Sequence, residues 1–327
     1  MGILKLAAPC KDYIWGGDRL RREFGKTFNA DRIAESWELS CHKDGQSVIV
    51  GGEFDGRTLA EFIEENGSAA VLGTESERFD GFPIFIKLID AADNLSVQVH
   101  PSDEYAFEFE GERGKNEMWY VVDADAGAEL IYGFKREISR EEFAERIKNG
   151  TLLEVSNNIP IHKGDVLYIE SGTLHSIGKG ILVAEIQQNS NTTYRVYDYG
   201  RVGKDGKPRE LHVEKALDVT ERKPPRYPIK AQGLPKKIEG GVITLLRSCE
   251  FFTVNRLELN GTARLEADSR SFNSLLILDG EVEVSVENGV GITAKKGDSI
   301  FITAGTGKYE LNGNGEIIIS DLVRIDN

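Results

Sequence analysis

Residues 96–105, SVQVHPSDEY, place two possible metal-binding side chains close together. Apolar residues alternate with Gln98 and His100, which is typical of a strand, and Pro101 ends the pattern. Side chains two positions apart on a strand share a face, so Gln98 and His100 point to the same side. An imidazole nitrogen and an amide oxygen on one face can both bind a first-row metal ion.

Two other segments carry groups that suit the same ion. Lys115 and Glu117 stand two apart at the start of the apolar run in GKNEMWYVV, and His175 lies in SGTLHSI. Because a single histidine on an apolar strand is more often structural, the metal hypothesis depends on the whole set. The predicted ligands are Gln98, His100, Glu117 and His175. The remaining histidines lie in polar or turn-like segments and are expected to be solvated: His42, His162 and His212.

These motifs occur in an order that resembles a known family. FPIFIKLIDAADNLSVQVHPSDEYA, GKNEMWYVV and GTLHSIGKGILVAEIQQNSNTTYRVYDYGR closely resemble the mannose-6-phosphate isomerases, in their short bacterial and archaeal form within the cupin superfamily. The likeness starts at YIWGGDRL, covers most of residues 10–215, and becomes a general cupin likeness beyond them. His100 and Glu117 are 17 residues apart. This separation is longer than the one between the corresponding residues of general cupins, and it resembles the one in the isomerase branch.

The resemblance implies an enzyme and a cofactor. It implies an isomerase that interconverts mannose 6-phosphate and fructose 6-phosphate through a metal-assisted cis-enediol intermediate. It implies one zinc ion per chain on His100, Glu117 and His175, with Gln98 as a fourth or supporting ligand. Arg195, in TTYRVYD, matches the active-site arginine of the family. Glu170 departs from the pattern, because a proline is common at that position.

Further charged residues are candidates for the reaction and for the substrate phosphate. Lys115 and Arg195 are expected to bind the enediolate oxygens, and Lys87 or Arg201 to hold the phosphate. Lys87 interrupts the apolar strand IFIKLI, so its side chain either extends to solvent or faces a polar cavity. Three groups remain candidates for the general base of the proton transfer: a lysine of lowered pKa, zinc-bound hydroxide, and a carboxylate such as Glu185.

Two other functions fit the same residues. An iron-dependent cupin oxygenase needs two histidines and one carboxylate with open coordination positions, which this set also provides. A non-catalytic sugar-binding cupin would keep the fold without turnover. Gln98 and the nearby cations favour an anionic sugar substrate over the oxygenase.

The composition limits the partners and the cellular setting. The 327 residues carry a formal net charge of -14, which opposes binding to nucleic acid and to anionic membranes. The three cysteines have neither disulfide-framework nor zinc-site spacing, and we find no signal peptide or membrane-spanning run. We expect a cytoplasmic protein, monomeric or homodimeric, that acts on a small sugar phosphate.

The elements that must position these groups are mainly β. Short β-branched and aromatic runs between glycine turns favour two tandem cupin barrels of the jelly-roll, double-stranded β-helix type. Capping-box spacing predicts helical insertions at 58–67 and 139–150, and a third short helix is expected after Pro101. We assign residues 1–220 to a catalytic cupin domain and 221–237, with four of the nine prolines, to a linker.

The remaining segment, 238–327, is predicted to be a second β-barrel. It contains no histidine, so we expect it to hold no histidine-based metal site. Gly297-Asp298 repeats the Gly164-Asp165 pair that precedes a strand in the first domain, which favours two related β units.

Overall fold

The computed structural model describes residues 2–203, 206–286, 289 and 291–325. The fold is mainly β, as predicted. Its chain divides into two compact units. The first unit comprises residues 1–11, 18–88 and 230–327, and the second comprises 12–17 and 89–229. Within the described residues, no helix is long and apolar enough to cross a membrane.

The helices of the described chain are short. They are α1 (Arg19–Phe24), α2 (Leu59–Asn66), α3 (Ser68–Leu72), α4 (Asp103–Phe109), α5 (Arg140–Asn149) and α6 (Val213–Val219). Two 3₁₀ turns accompany them at Thr74–Arg78 and Leu152–Glu154.

The strands occupy most of the remaining chain. They are β1 (Ile3–Ala7), β2 (Cys10–Lys11), β3 (Glu35–Leu39), β4 (Cys41–His42), β5 (Gly45–Gln46), β6 (Val48–Val50), β7 (Ile84–Ala91), β8 (Val97–Val99), β9 (Glu117–Ala124), β10 (Glu129–Phe134) and β11 (Ser156–Pro160). They continue with β12 (Val166–Ile169), β13 (His175–Ser176), β14 (Ile181–Gln188), β15 (Tyr194–Tyr197), β16 (Lys236–Ile238), β17 (Gly241–Ser248), β18 (Thr253–Ala267), β19 (Asn273–Val286), β20 (Ile292–Lys295), β21 (Ser299–Ile302) and β22 (Gly307–Asp321).

The predicted helical insertions begin at their predicted caps. At α2, the Thr58 hydroxyl accepts from the Glu61 amide and the Glu61 carboxylate accepts from the Thr58 amide, which completes a capping box. Ser139 caps α5 and Ser102 caps α4, each through its hydroxyl. The three predicted helices are therefore confirmed. Their starts were predictable from the sequence because local hydrogen bonding in the first turn fixes where each helix begins.

The first unit is built around a long antiparallel sheet. Its strands run in the order β16-β17-β18-β22-β19-β21-β1-β6, with β20 beside β19. The chain returns to this unit at Lys230, inside the predicted linker. Residues 18–88 also belong to this unit, whose sheet contains the pairing of β1 with β21. One face of the sheet carries an apolar core that includes Ile277, Val284 and Leu311.

His42 in the first unit corrects one expectation. We expected this residue to be solvated, but it is only 5% exposed and its ring stacks on Phe85 at 6.0 Å between centroids. Trp37 packs edge-on against the same histidine. The polar neighbours of His42 in the sequence therefore misled the prediction, because its contacts are with aromatic residues on other strands.

The strands that supply the groups discussed below belong to two antiparallel sheets. One has the strand order β11-β10-β13-β8-β15, and the other includes β12, β9 and β14 in that order. The two Gly-Asp turns have matching geometry, with φ of 91° at Gly164 and 90° at Gly297. In each turn the aspartate side chain accepts from the backbone amide three residues earlier, at His162 for Asp165 and at Lys295 for Asp298.

Candidate metal centre

Three neighbouring strands of the first of these sheets align polar side chains on one face. Gln98 on β8 lies directly opposite His175 on β13 and opposite Arg195 on β15. Directly opposed residues of antiparallel strands point to the same side of a sheet, and His100 follows Gln98 by two positions. The register therefore brings these four side chains to one face, as the alternation of SVQVH predicted for Gln98 and His100.

Glu117 enters from the other sheet, at the first residue of β9. Its position is fixed by the preceding loop, because the Lys115 amide donates to the Pro101 carbonyl. The Asn116 amide and side chain both donate to the Gln188 side-chain oxygen, at 2.9 and 2.7 Å. Pro101 thus ends the first ligand strand and also accepts the hydrogen bond that anchors the loop before Glu117.

The two imidazoles and the carboxylate converge in the interior. His100 Nε2 lies 3.4 Å from Glu117 Oε2, and His175 Nε2 lies 3.4 Å from Glu117 Oε1. His100 and Glu117 are each 1% exposed and His175 is fully buried. One ligand atom from each residue lies within 4.8 Å of the other two, which is compatible with a shared metal ion.

Backbone carbonyls orient both imidazoles. His100 Nδ1 lies 3.0 Å from the Thr192 carbonyl oxygen, and His175 Nδ1 lies 2.8 Å from that of Thr173. A carbonyl oxygen only accepts, so each Nδ1 carries the proton and each Nε2 lone pair is directed to Glu117. Burial lowers the pKa of His175, and the charge of Glu117 partly opposes this effect. The lowered pKa favours the neutral imidazole, which is the form that binds a metal ion.

Gln98 stands beside the three residues with its amide nitrogen toward them. Its Nε2 lies 3.3 Å from His175 Nε2, and its Oε1 accepts from the Ser96 hydroxyl at 3.2 Å. A hydroxyl can both donate and accept, so Ser96 could face either Oε1 or Nε2 of Gln98, and both orientations of the amide are compatible with this contact. A ligand role for Gln98 requires the orientation that presents Oε1.

A buried indole lies behind the site, and we did not anticipate it from the sequence. Trp119 Nε1 donates to Glu185 Oε2 at 2.9 Å, and its ring packs edge-on against His175 at 5.4 Å. Trp119 and Glu185 are opposite in register, as are Glu117 and Gln187. The signal that could have found Trp119 is its spacing of two from Glu117, which puts both side chains on one face.

Arg195 is half-buried on its strand. Its guanidinium donates to the Glu210 carbonyl at 2.9 Å, and its Nε is buried with no hydrogen-bond partner among the described residues. Burial lowers the pKa of Arg195, and the charge of Arg209 adds to the effect. The charge of Asp198 opposes this lowering, and its carboxylate accepts hydrogen bonds from Arg201 and Arg209.

The lysines and Arg201 occupy different surroundings. Lys115 is 4% exposed and stands two residues before Glu117, and its charge contributes to lowering the pKa of His175. Arg201 lies in the same unit, where it bonds Asp198 and the Asn94 carbonyl. Lys87 belongs to the first unit, 3.8 Å from Glu35 and 4.8 Å from the Phe85 ring centroid.

A buried His, Glu and His set on the strands of a mainly β fold defines a cupin-type protein with a candidate metal centre. Comparison with known proteins agrees with that class. The catalytic-domain model of type I phosphomannose isomerases matches residues 3–130, and the cupin-domain model of mannose-6-phosphate isomerases matches residues 242–322.

Individual relatives match nearly the whole chain. Mannose-6-phosphate isomerase ManA of Bacillus subtilis is 40% identical over 95% of this chain and 96% of its own length. The crystal structure of the Bacillus subtilis mannose 6-phosphate isomerase matches with a TM-score of 0.90 and 34% identity, covering 98% of this chain and 99% of that one. A mannose 6-phosphate isomerase crystallised with zinc and yttrium shares the fold, with a TM-score of 0.77, 18% identity, and coverage of 97% of this chain and 98% of that one. The chain belongs to the mannose-6-phosphate isomerase family.

Proposed function

We propose that the protein interconverts mannose 6-phosphate and fructose 6-phosphate, with a zinc ion held by His100, Glu117 and His175. The observation that carries this proposal is the convergence of the two Nε2 atoms on separate oxygens of one buried carboxylate. Family membership supports the substrate, since the named relatives are mannose-6-phosphate isomerases over nearly their full length.

The three residues fit a tetrahedral ion. Ligand atoms about 2.1 Å from zinc in a tetrahedron lie about 3.4 Å from one another, and each histidine Nε2 lies at this distance from one of the two Glu117 oxygens. Glu117 Oε1 is buried and has no hydrogen-bond partner among the described residues, which is costly without a cation. A bound divalent ion would polarise the substrate oxygens and stabilise negative charge on them.

One zinc per chain is therefore the proposed cofactor, with Gln98 as the fourth or supporting ligand. The relative crystallised with zinc supports the choice of zinc. An iron-dependent oxygenase would use the same two histidines and carboxylate, but it has no need of a buried lysine beside them. Lys115 is buried two residues before Glu117, and this cation favours the isomerase because a sugar-phosphate enediolate is anionic.

The proton transfer is assigned to residues around the three ligands. The reaction moves a proton between C1 and C2 of the open-chain sugar, and negative charge develops on the O1 and O2 oxygens. Arg195 and Lys115 are proposed to hold these oxygens, because fixed cations stabilise such charge without reorganising. Glu185 is the proposed base, since its carboxylate is 5% exposed and the Trp119 N–H holds it in one orientation behind the three ligands.

The substrate phosphate is assigned to Arg201 or Lys87. Arg201 shares Asp198 with Arg209 and also lies 3.6 Å from Asp93, whose side chain is largely exposed. Lys87 is buried beside Glu35, which compensates its charge. The Arg201 side chain is 16% exposed and that of Lys87 is 5% exposed, and this greater access supports Arg201 as the stronger candidate.

The proposed organisation and setting follow the sequence analysis. We infer two tandem cupin barrels, a catalytic domain over 1–220 and a second barrel over 238–327 joined by 221–237, which the matching Gly-Asp turns support. The compact units differ from these bounds, because residues 1–11 and 18–88 group with 230–327. A cytoplasmic, monomeric or homodimeric protein is proposed, and the three free cysteines agree with a reducing compartment.

A coupled assay tests the reaction. Purified protein with mannose 6-phosphate should generate fructose 6-phosphate, detected through a fructose 6-phosphate-dependent dehydrogenase couple, and the metal content should be measured on the same sample. Zinc without turnover would favour a sugar-binding cupin, and iron with oxygen uptake would refute the isomerase.

A further inference from the structure

Gln187 is a fully buried glutamine next to the candidate metal centre. It lies opposite Glu117 in the register of β14 and β9, so the two side chains share a face. Burying an amide is unfavourable unless its donors and acceptor find partners. An apolar residue at this interior position would avoid that cost, so the contacts of the amide account for its presence.

The amide nitrogen of Gln187 binds the turn that follows its own strand. Its Nε2 donates to the Gln188 carbonyl at 2.7 Å and to the Ser190 carbonyl at 2.6 Å. Both acceptors are carbonyl oxygens, so only the NH₂ end of the amide can make these contacts. The orientation of the amide is therefore fixed, and its Oε1 has no hydrogen-bond partner among the described residues.

The same turn leads to the carbonyl that orients His100. The Ser190 amide donates to the Gln188 carbonyl at 2.8 Å, and the Thr192 amide donates to the Ser190 hydroxyl at 3.2 Å. The Thr192 carbonyl then lies 3.0 Å from His100 Nδ1. A continuous series of buried or half-buried hydrogen bonds thus connects Gln187 to one of the two imidazoles.

We propose that Gln187 is a positioning residue of the metal centre. It holds the 188–192 turn so that the Thr192 carbonyl keeps the proton on His100 Nδ1 and directs Nε2 toward Glu117. This inference rests on the proposed metal site, and it assigns Gln187 no contact with substrate. Residues that orient metal-binding histidines typically change metal affinity by about 10- to 100-fold when removed.

A purely structural role would have a different signature. If Gln187 only filled the interior, its replacement by methionine would alter unfolding without altering the geometry around the metal. A core substitution in the other unit, Ile277→Val, provides the control for destabilisation alone, because Ile277 belongs to the apolar core of the long sheet.

The test uses Co²⁺ alone, titrated into the metal-free protein. Affinity is measured by competition with a chelator, and the geometry at the ion is followed by the visible absorption of bound Co²⁺. Gln187→Met should weaken Co²⁺ binding by about 10- to 100-fold and alter the absorption spectrum. Ser190→Ala, which removes the next hydroxyl in the series, should change both in the same direction, and Ile277→Val should change neither.

Two results would overturn the inference. The inference would be refuted if Gln187→Met bound Co²⁺ with wild-type affinity and gave a wild-type spectrum. If Gln187→Met does not fold, the same result in Ser190→Ala would refute the inference. Failure of the wild-type protein to bind Co²⁺ would refute both the metal site and this inference. Failure of the Gln187 inference alone and failure of the proposed metal site are distinguishable, because only failure of the metal site abolishes Co²⁺ binding by the wild-type protein.

Discussion

His175 Nε2 lies 3.4 Å from Glu117 Oε1, although the two residues come from strands of different sheets. Both side chains are at most 1% exposed. The two groups are thus held together inside the second unit without a hydrogen bond at Glu117 Oε1 from the described residues. A cation between them would relieve the burial of the carboxylate, and this relationship underlies the first prediction.

Replacing His175 with alanine should remove the metal and the activity together. The change deletes one of three ligands, while its strand pairs with neighbours on both sides and should persist. We expect metal content below one-tenth of the wild-type value and an unchanged β-type circular dichroism spectrum. His162→Ala is the matched control, since this side chain is 80% exposed and its loss should leave metal and turnover intact. Retained activity in metal-free His175→Ala would end the metal argument.

Replacing Arg195 with alanine should leave the metal in place and depress kcat more than it raises KM. The guanidinium is proposed to act on charge that develops during the reaction, and loss of such a group costs about 10²- to 10³-fold in rate. Steady-state kinetics with metal analysis measure both effects. Arg140→Ala, a substitution at a half-exposed ion pair, serves as the control. A change confined to KM would mean that Arg195 only binds substrate.

Asp321 predicts a pH dependence of stability in the first unit. Burial raises the pKa of Asp321 from 3.8 to about 7, against a hydrogen bond from the Val323 amide that lowers it. Since the folded state keeps this proton longer than the unfolded state, stability falls as pH rises from about 4 to about 7. A shift of about three pKa units at about 1.4 kcal/mol each means that Asp321→Asn should be more stable than the wild type by about 4 kcal/mol at pH 8, and equally stable below about pH 4.

Chemical unfolding at several pH values checks this difference. Asp268→Asn is the control of opposite sign, because hydrogen bonding from Arg270 lowers the pKa of Asp268 and its ionised form stabilises the fold at neutral pH. This variant should lose a few tenths of a kcal/mol at pH 8, since the ion pair is partly exposed. An Asp321→Asn variant that is equally stable or less stable at pH 8 would contradict the assignment.

The two Gly-Asp turns should respond unequally to alanine. Both Gly164 and Gly297 have φ near 90°, which disfavours any side chain by about 1–2 kcal/mol. A Cβ at Gly164 would have no atom within 4 Å, whereas one at Gly297 would overlap the Phe24 carbonyl oxygen. Gly164→Ala should cost about 1 kcal/mol and Gly297→Ala about 3 kcal/mol or more in unfolding experiments. Equal costs would show that the backbone near Phe24 adjusts freely.

Local patterns were enough to predict much of the fold and the candidate ligands. Alternation places Gln98 and His100 on one face, and cap residues such as Ser139 fix where helices begin. Both depend on residues a few positions apart, which a single sequence displays directly. The ordered motifs then connect Glu117 and His175 to the same site.

What the sequence did not reveal depends on contacts between distant residues. Trp119 bonds Glu185 and packs on His175, and the aromatic partners of His42 lie on other strands. The pairing of β1 with β21, which joins the N-terminal residues to the C-terminal sheet, spans nearly the whole chain. Such contacts follow from strand register over hundreds of residues, for which no local pattern is diagnostic.

Metal content and isomerase activity, measured together on one preparation, test the central claim most directly. We predict close to one zinc ion per chain, loss of mannose 6-phosphate isomerisation on removal of the ion by a chelator, and recovery on addition of zinc. Full turnover by the metal-free protein would contradict the account.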